Sequence, residues 1–179
     1  MIGFVTDSDR EFTWTPVSAN RIGLLSDSHG EAARTGRALD LLLDRGADLL
    51  IHLGDLGSEA VVDRLAGLPA MIVLGNVDPP SLGRYAELLG IKVGHGALRL
   101  QVGGRRLAGT HGHLEDAWTD LVAVTPDFLL HGHTHEVRDE RHGGIRYVNP
   151  GAVDRADRWT VAMLEPGVDR LEIMDIPGP

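Results

Sequence analysis

Apolar residues recur along this chain in two rhythms. Short apolar runs at 22–26, 48–53 and 70–74 read as strands. Between the first two, residues 31–45 set Ala32, Ala38, Leu39, Leu42 and Leu43 along one stripe at helical spacing, and Gly46 supplies a stop. Residues 58–65 read as a second helix. Strand, helix, strand, helix, strand implies parallel strands joined by right-handed crossovers.

The second half changes character. Short strands are expected at 92–93, 97–102 and 105–110, joined by Gly-rich turns, with Gly103-Gly104 as a hairpin signal. A helix at 114–124 precedes strands at 128–131, 145–148, 159–164 and 170–174. Residues 1–20 show no clear period and read as an N-terminal extension of unassigned role. The ordered fold is expected to begin at Arg21, with residues 21–179 forming a single α/β domain.

Composition narrows the function. The formal charge is −9 and aromatic residues make up 4%, which disfavours extended nucleic-acid binding by charge or by base stacking. With no cysteine, disulfides, thiolate zinc sites and iron–sulfur clusters are excluded. No apolar run approaches the roughly 20 residues of a membrane helix, and the first residues lack the apolar core of a signal peptide. A soluble, cytoplasmic protein is expected.

Polar residues stand where the apolar runs stop. The first run ends in Asp27-Ser28-His29, the second in Gly54-Asp55 and the third in Gly75-Asn76. Ligands of open α/β sheets bind at the carboxyl ends of strands, so three consecutive strand ends deliver polar side chains to one edge. Two further fragments, His111-Gly112-His113 and His133-Thr134-His135, space histidines two apart. In extended backbone such residues point to the same side, which would let each pair, and Asp27 with His29, converge on one ion. Taken singly, Asp27-Ser28-His29 and Gly54-Asp55 are ordinary turn or helix-entry chemistry. Gly-spaced histidine pairs in two segments are harder to explain that way.

The donors are carboxylates, imidazoles and one carboxamide. That mixture suits Mn²⁺, Zn²⁺, Fe²⁺ or Ni²⁺ better than Ca²⁺ or Mg²⁺. Two ions need a bridging carboxylate. Asp55 is placed for it, because its strand is expected to lie between the others. His52 and His131 read as core histidines, His131 with a supporting role. His113 divides evenly between a supporting or substrate-side role and plain solvation, and His95 and His142 read as solvated. Arg34, Arg138 and Arg155 are candidates to clamp a phosphate oxygen or are simply solvent-facing.

Asp27-Ser28-His29, Gly54-Asp55, Gly75-Asn76-Val77-Asp78, His111-Gly112-His113 and Gly132-His133-Thr134-His135 resemble, in order and approximate spacing, the motifs of the calcineurin-like metallophosphoesterases. The short chain and the Gly-Asn-Val-Asp form are similar to the small bacterial and archaeal phosphodiesterase branch, to which the scaffold subunit Vps29 is related. The resemblance covers residues 21–151. It implies a sandwich of two mixed β-sheets flanked by helices, with the metal site at the carboxyl ends of the strands. It also implies that Asp27, His29 and His135 hold one ion, that Asn76, His111 and His133 hold the other, and that Asp55 bridges them. Asn149-Pro150-Gly151 matches a loop of the same branch and receives no catalytic role.

The implied reaction is phosphate-ester hydrolysis with two divalent ions, Mn²⁺ first among the candidates. A hydroxide shared by the ions attacks phosphorus, and Asn76 helps place the phosphoryl group. The wider family commonly carries Gly-Asn-His-Glu in its third motif, with the His thought to protonate the leaving group. Val77 stands there instead, so good leaving groups are expected to react best, and Asp78 takes a supporting role. A small phosphodiester is the expected substrate. A phosphomonoesterase with the same site, or a Vps29-like interaction scaffold, are the alternatives. The turn-rich second half also offers an edge strand for homo-oligomer formation.

Overall fold

The computed structural model describes residues 13–178, so most of the expected N-terminal extension lies outside the described residues. Two six-stranded sheets pack face to face with helices on both outer faces.

The first sheet grows from the βα repeats of the N-terminal half. Strands β2 (Ile22–Leu25), β3 (Leu49–His52), β4 (Ala70–Val73) and β5 (Lys92–Gly94) run parallel. Helices α1 (Ala32–Asp44), α2 (Glu59–Leu65) and α3 (Pro80–Leu88) connect them in turn. The chain returns at its end to add β11 (Thr160–Glu165) antiparallel to β2, and β12 (Arg170–Asp175) antiparallel to β11.

The second sheet has the order β1-β6-β7-β8-β10-β9. Its strands are β1 (Thr15–Pro16), β6 (Leu98–Val102), β7 (Arg105–Gly109), β8 (Phe128–Leu130), β9 (Val137–His142) and β10 (Ile145–Pro150). Here β7, β8 and β10 run parallel, while β6 and β9 are antiparallel to their partners β7 and β10. Helix α4 (Glu115–Ala123) links β7 to β8.

Strand alternation builds the layers. Leu49 and Ile51 of β3, like Met71 and Val73 of β4, face the second sheet, where they meet Leu98, Leu100, Leu107 and Phe128. Their neighbours Leu50 and Ile72 face the other way, onto Leu39 and Leu42 of α1 and Val62 of α2. A smaller cluster of Leu121, Leu129 and Tyr147 seats α4 on the outside of the second sheet. Side chains such as Leu50 and Ile72 are fully enclosed, each worth about 1.5–3 kcal/mol of transfer free energy.

Three elements depart from the sequence reading. Helix α3, absent from the elements expected of the sequence, begins at Pro80, a position that needs no N–H. Strand β9 is almost wholly water-facing and shows no apolar alternation; pairing with β10 makes it a strand. Upstream of Arg21, Thr15 and Pro16 pair with Leu100 and Gln101 at the sheet edge. Among the described residues no helix is long and apolar enough to cross a membrane.

The topology concentrates five chain segments at one end. The loops after β2, β3 and β4 carry Asp27 and His29, Asp55, and Asn76. The loops after β7 and β8 carry His111 and the pair His133 and His135. Both sheets therefore contribute the carboxyl ends of parallel strands to one place.

Candidate metal centre

The donor side chains meet in two compact sets. Asp27, His29 and His135 form one, and Asp27, Asp55 and His111 form the other, with donor atoms in each within 4.8 Å of one another. Asp55 faces both halves: its Oδ2 lies 3.7 Å from His29 Nε2 and its Oδ1 lies 3.3 Å from His111 Nε2. This follows from β3 lying between β2 and β4. Asn76 Oδ1 lies 3.1 Å from His111 Nε2, so it joins the second half. His133 stands at the rim. Its ring centroid is 5.0 Å from that of His111, its side chain is exposed, and its backbone N–H donates to Asp27 Oδ2 at 3.1 Å.

The hydrogen-bond pattern turns lone pairs inward. His111 donates from Nδ1 to the Leu53 carbonyl at 2.8 Å, and His135 donates from Nδ1 to the Arg155 carbonyl at 3.0 Å. Each ring is thereby held with Nε2 free to ligate. His111 Nε2, Asp55 Oδ1 and Asn76 Oδ1 are then three electron-pair donors converging on one point. His135 Nε2 likewise faces His29 Nε2 at 3.1 Å and Asp27 Oδ1 at 3.3 Å, and Asp27 Oδ1 is buried with no hydrogen-bond partner. Such convergence needs a cation, either a proton or a metal ion. The residues present fit divalent metal.

The ionisation tendencies agree. Burial raises the Asp27 carboxyl above its ordinary value, against the opposing pull of Ser26, His111 and His135. Burial also opposes ionisation of Asp55, but hydrogen bonds from His111 and the Val77 N–H hold it down at about 2. His111 is lowered by burial and raised further by Asp55 and the Leu53 carbonyl, for a net rise. His29 is lowered, first by burial and then by the nearby charge of Arg155.

The convergence is not achieved by strand alternation, and here the sequence reading needs correction. Asp27, His29, Asp55, His133 and His135 all have positive φ, at 56°, 44°, 54°, 70° and 60°. They occupy the left-handed region, so the chain turns tightly at each donor instead of running extended past it. Two glycines allow the packing. A Cβ on Gly75 would fall 2.0 Å from Asp55 Oδ1, and one on Gly132 would fall 2.8 Å from Asp27 Oδ2.

A supporting layer holds these loops. The buried Asp78 carboxylate accepts N–H bonds from Leu56, Gly57 and Gly75, tying the Asp55 loop to the Asn76 loop. Asn149, fully buried, donates to the Gly132 carbonyl and to Thr134 Oγ1, both at 3.0 Å, and accepts from the Gly151 N–H. It fixes the loop that carries His133 and His135, a role its Asn149-Pro150-Gly151 setting alone does not reveal. His52 donates from Nε2 to Ser28 Oγ at 2.8 Å, accepts from the Gly54 N–H, and is a satisfied core histidine. His131 packs edge-on against Trp118. His113 is half-buried, 5.3 Å from His111 by ring centroid, with a buried Nδ1 that has no partner. Arg34 is engaged by Asp154 and the Trp159 ring, and Arg138 by Glu140 and the Tyr147 ring. Among the described residues the Arg155 guanidinium has no such partner.

Comparison with known proteins places this arrangement. The profile of the calcineurin-like phosphoesterase superfamily domain matches residues 21–167. The chain is 26% identical to phosphodiesterase MJ0936 of Methanocaldococcus jannaschii over 137 residues, 73% of this chain and 82% of that protein. It is 29% identical to phosphodiesterase YfcE of Escherichia coli over 143 residues, 72% of this chain and 76% of that protein. Among solved structures, an archaeal phosphodiesterase superposes with a TM-score of 0.76 at 21% identity, covering 87% of this chain and 99% of its own. Zinc-bound Vps29 of Entamoeba histolytica superposes with a TM-score of 0.59 at 18% identity, covering 88% and 99%. Fold and donor set together define a metal-dependent phosphoester hydrolase. The chain belongs to the calcineurin-like phosphoesterase superfamily.

Proposed function

We propose that this protein is a two-metal phosphodiesterase, with residues 21–179 as a single catalytic domain. The observation that carries the reading is Asp55, which offers one carboxylate oxygen to each half of the donor cluster. Asp27, His29 and His135 would hold the first ion, and Asn76, His111 and His133 the second, with Asp55 between them. Mn²⁺ is the first candidate, with Zn²⁺, Fe²⁺ and Ni²⁺ compatible with the same nitrogen and oxygen donors. When bound, the ions supply Lewis acidity, lowering the pKa of water from about 15.7 towards neutrality and offsetting charge on the phosphoryl oxygens.

The protein's own groups do the rest. Asn76 directs Oδ1 at the donor cluster, which leaves its amide N–H groups to donate to a phosphoryl oxygen. Asp55, held ionised, fixes the point where the two halves meet. Val77 is exposed at the mouth and brings no proton, so esters with acidic leaving groups are favoured. The net charge of −9 favours small phosphodiesters over polyanions. A cytoplasmic setting fits the absence of cysteine.

The test is metal-stripped protein assayed on an aryl phosphodiester and an aryl phosphomonoester, with Mn²⁺, Zn²⁺, Ni²⁺ and Mg²⁺ restored one at a time. Diester cleavage that depends on metal and vanishes in Asp55→Asn supports the reading. Faster monoester cleavage replaces it with a phosphomonoesterase. Metal binding without hydrolysis of either ester favours an interaction scaffold.

A further inference from the structure

Beside the donor cluster, the Arg155 guanidinium is left unengaged by any described residue. Nearby Arg158 pairs with Asp175 and Arg34 pairs with Asp154, whereas Arg155 makes no side-chain hydrogen bond or ion pair among the described residues. Its main chain, by contrast, is held. The backbone is left-handed, with φ 54°, and its carbonyl accepts from His135 Nδ1–H. The turn that orients one member of the cluster therefore also sets a free cation next to it, near enough for its charge to be felt at His29.

A cleft of about 690 Å³ opens at this point, lined by residues 134–137 and 155–158. That is within the range of small-molecule sites and much larger than one phosphoryl group. Of the seven donor residues only His135 lines it, so the cleft lies beside the cluster and not over Asp55. Val137 and Ala156 give it apolar wall. Glu136 and Asp157 also line it, so it has no general attraction for anions. Selection of a negative group there falls to the planar fork of Arg155.

We propose that this cleft receives the substituent a phosphodiester carries beyond its scissile phosphorus, and that Arg155 pairs with an oxyanion, phosphate or carboxylate, on that substituent. The substrate class is then a phosphodiester bearing a second anionic group. This rests on the phosphodiesterase reading, because the scissile phosphoryl group is taken to sit where Asp55 joins the two halves.

The test uses the metal-loaded protein with its full chain. Calorimetry compares thymidine monophosphate with thymidine bisphosphate, which differ by one remote phosphate. The wild type is expected to bind the bisphosphate about tenfold more tightly. Arg155→Met, whose side chain leaves the turn as it was, removes that preference and spares the monophosphate; Arg155→Lys retains part of it. In parallel, KM and kcat are measured for thymidine p-nitrophenyl phosphodiesters with and without the second phosphate. Arg155→Met should raise KM about tenfold for the first alone, with kcat unchanged. No preference in the wild type, a preference that survives in Arg155→Met, or an equal loss on both ligands would overturn the proposal. A preference that depends on Arg155 without hydrolysis of either diester would uphold the cleft and count against the phosphodiesterase reading instead.

Discussion

His29 and His135 present their Nε2 atoms to each other across 3.1 Å, although 106 residues separate them in the chain. The Arg155 carbonyl commits His135 to carrying its proton on Nδ1, so the meeting point is rich in lone pairs. His29 is held below its ordinary pKa and is neutral at pH 7, while His111 is held above and binds a proton more readily. Loading metal-stripped protein with Mn²⁺ or Zn²⁺ near neutral pH should therefore release protons, with His111 as one source. Calorimetry in buffers of different ionisation heat measures the number. Binding with no proton release, or release undiminished in His111→Asn, would contradict this assignment.

Asp55→Asn keeps the size of the side chain but removes the charge shared by both halves. On the two-metal reading, activity should fall by roughly 10³-fold or more, and bound metal should drop from two ions per chain towards one. Metal analysis beside an activity assay reads both quantities. Full metal content with full activity would remove Asp55 from its bridging position.

Asp78→Ala leaves three backbone N–H groups without their acceptor, two of them on the buried residues Leu56 and Gly75. The expected loss is about 3 kcal/mol in urea unfolding of the metal-free protein. Activity should fall as well, since the bonds tie the Asp55 and Asn76 loops together. A variant as stable as the wild type would show that water replaces the carboxylate freely.

Asn149→Ala should destabilise by about 1–3 kcal/mol, because the Gly132 carbonyl loses a buried donor. Metal affinity should weaken roughly 10–100-fold as the His133 and His135 loop loosens. Competition with a coloured chelator measures the affinity. Unchanged affinity in a destabilised variant would confine Asn149 to the fold.

Two buried histidines set the acid limit. Burial pushes His52 from 6.5 to about 3 and His131 from 6.5 to about 4. Between those values the unfolded chain binds protons that the native state refuses, so stability is complete above pH 6.5 and declines as pH falls through the window. Two protons correspond to a slope of at most about 2.7 kcal/mol per pH unit. Urea unfolding of metal-free protein from pH 7 to about 5 should show the decline, and His52→Gln should reduce the slope by about one proton. An identical slope in the variant would remove His52 from this account.

The sequence displays the layers well, because the layers follow burial. Leu49, Leu50 and Ile51 alternate between two cores, and α1 carries its stripe of Ala38, Leu39 and Leu42. Helix α3 is concealed by Pro79, Pro80 and Gly83, which look like breakers until the helix register shows Pro80 in the first turn. The motif order names the side chains that the fold brings together, but not the geometry in which they meet. Left-handed backbone at Asp27, His29, Asp55, His133 and His135 leaves no mark in the polar and apolar pattern, since strain of this kind depends on the surrounding fold. Arg155 is equally hidden. Nothing local separates it from Arg34 or Arg158 until their ion pairs are seen.

Strand β9 has a consequence for the protein in crowded solution. It borders the second sheet and sets Arg138, Asp139, Glu140, Arg141 and His142 in succession along an open edge. Backbone groups on such an edge are a template for any stray strand. A strand arriving here must strip water from charges of both signs before it gains its first hydrogen bond, and Val137, at one end of β9, is the strand's single apolar side chain. Strand addition is therefore disfavoured at this border by the charge of the edge itself, independently of the donor cluster.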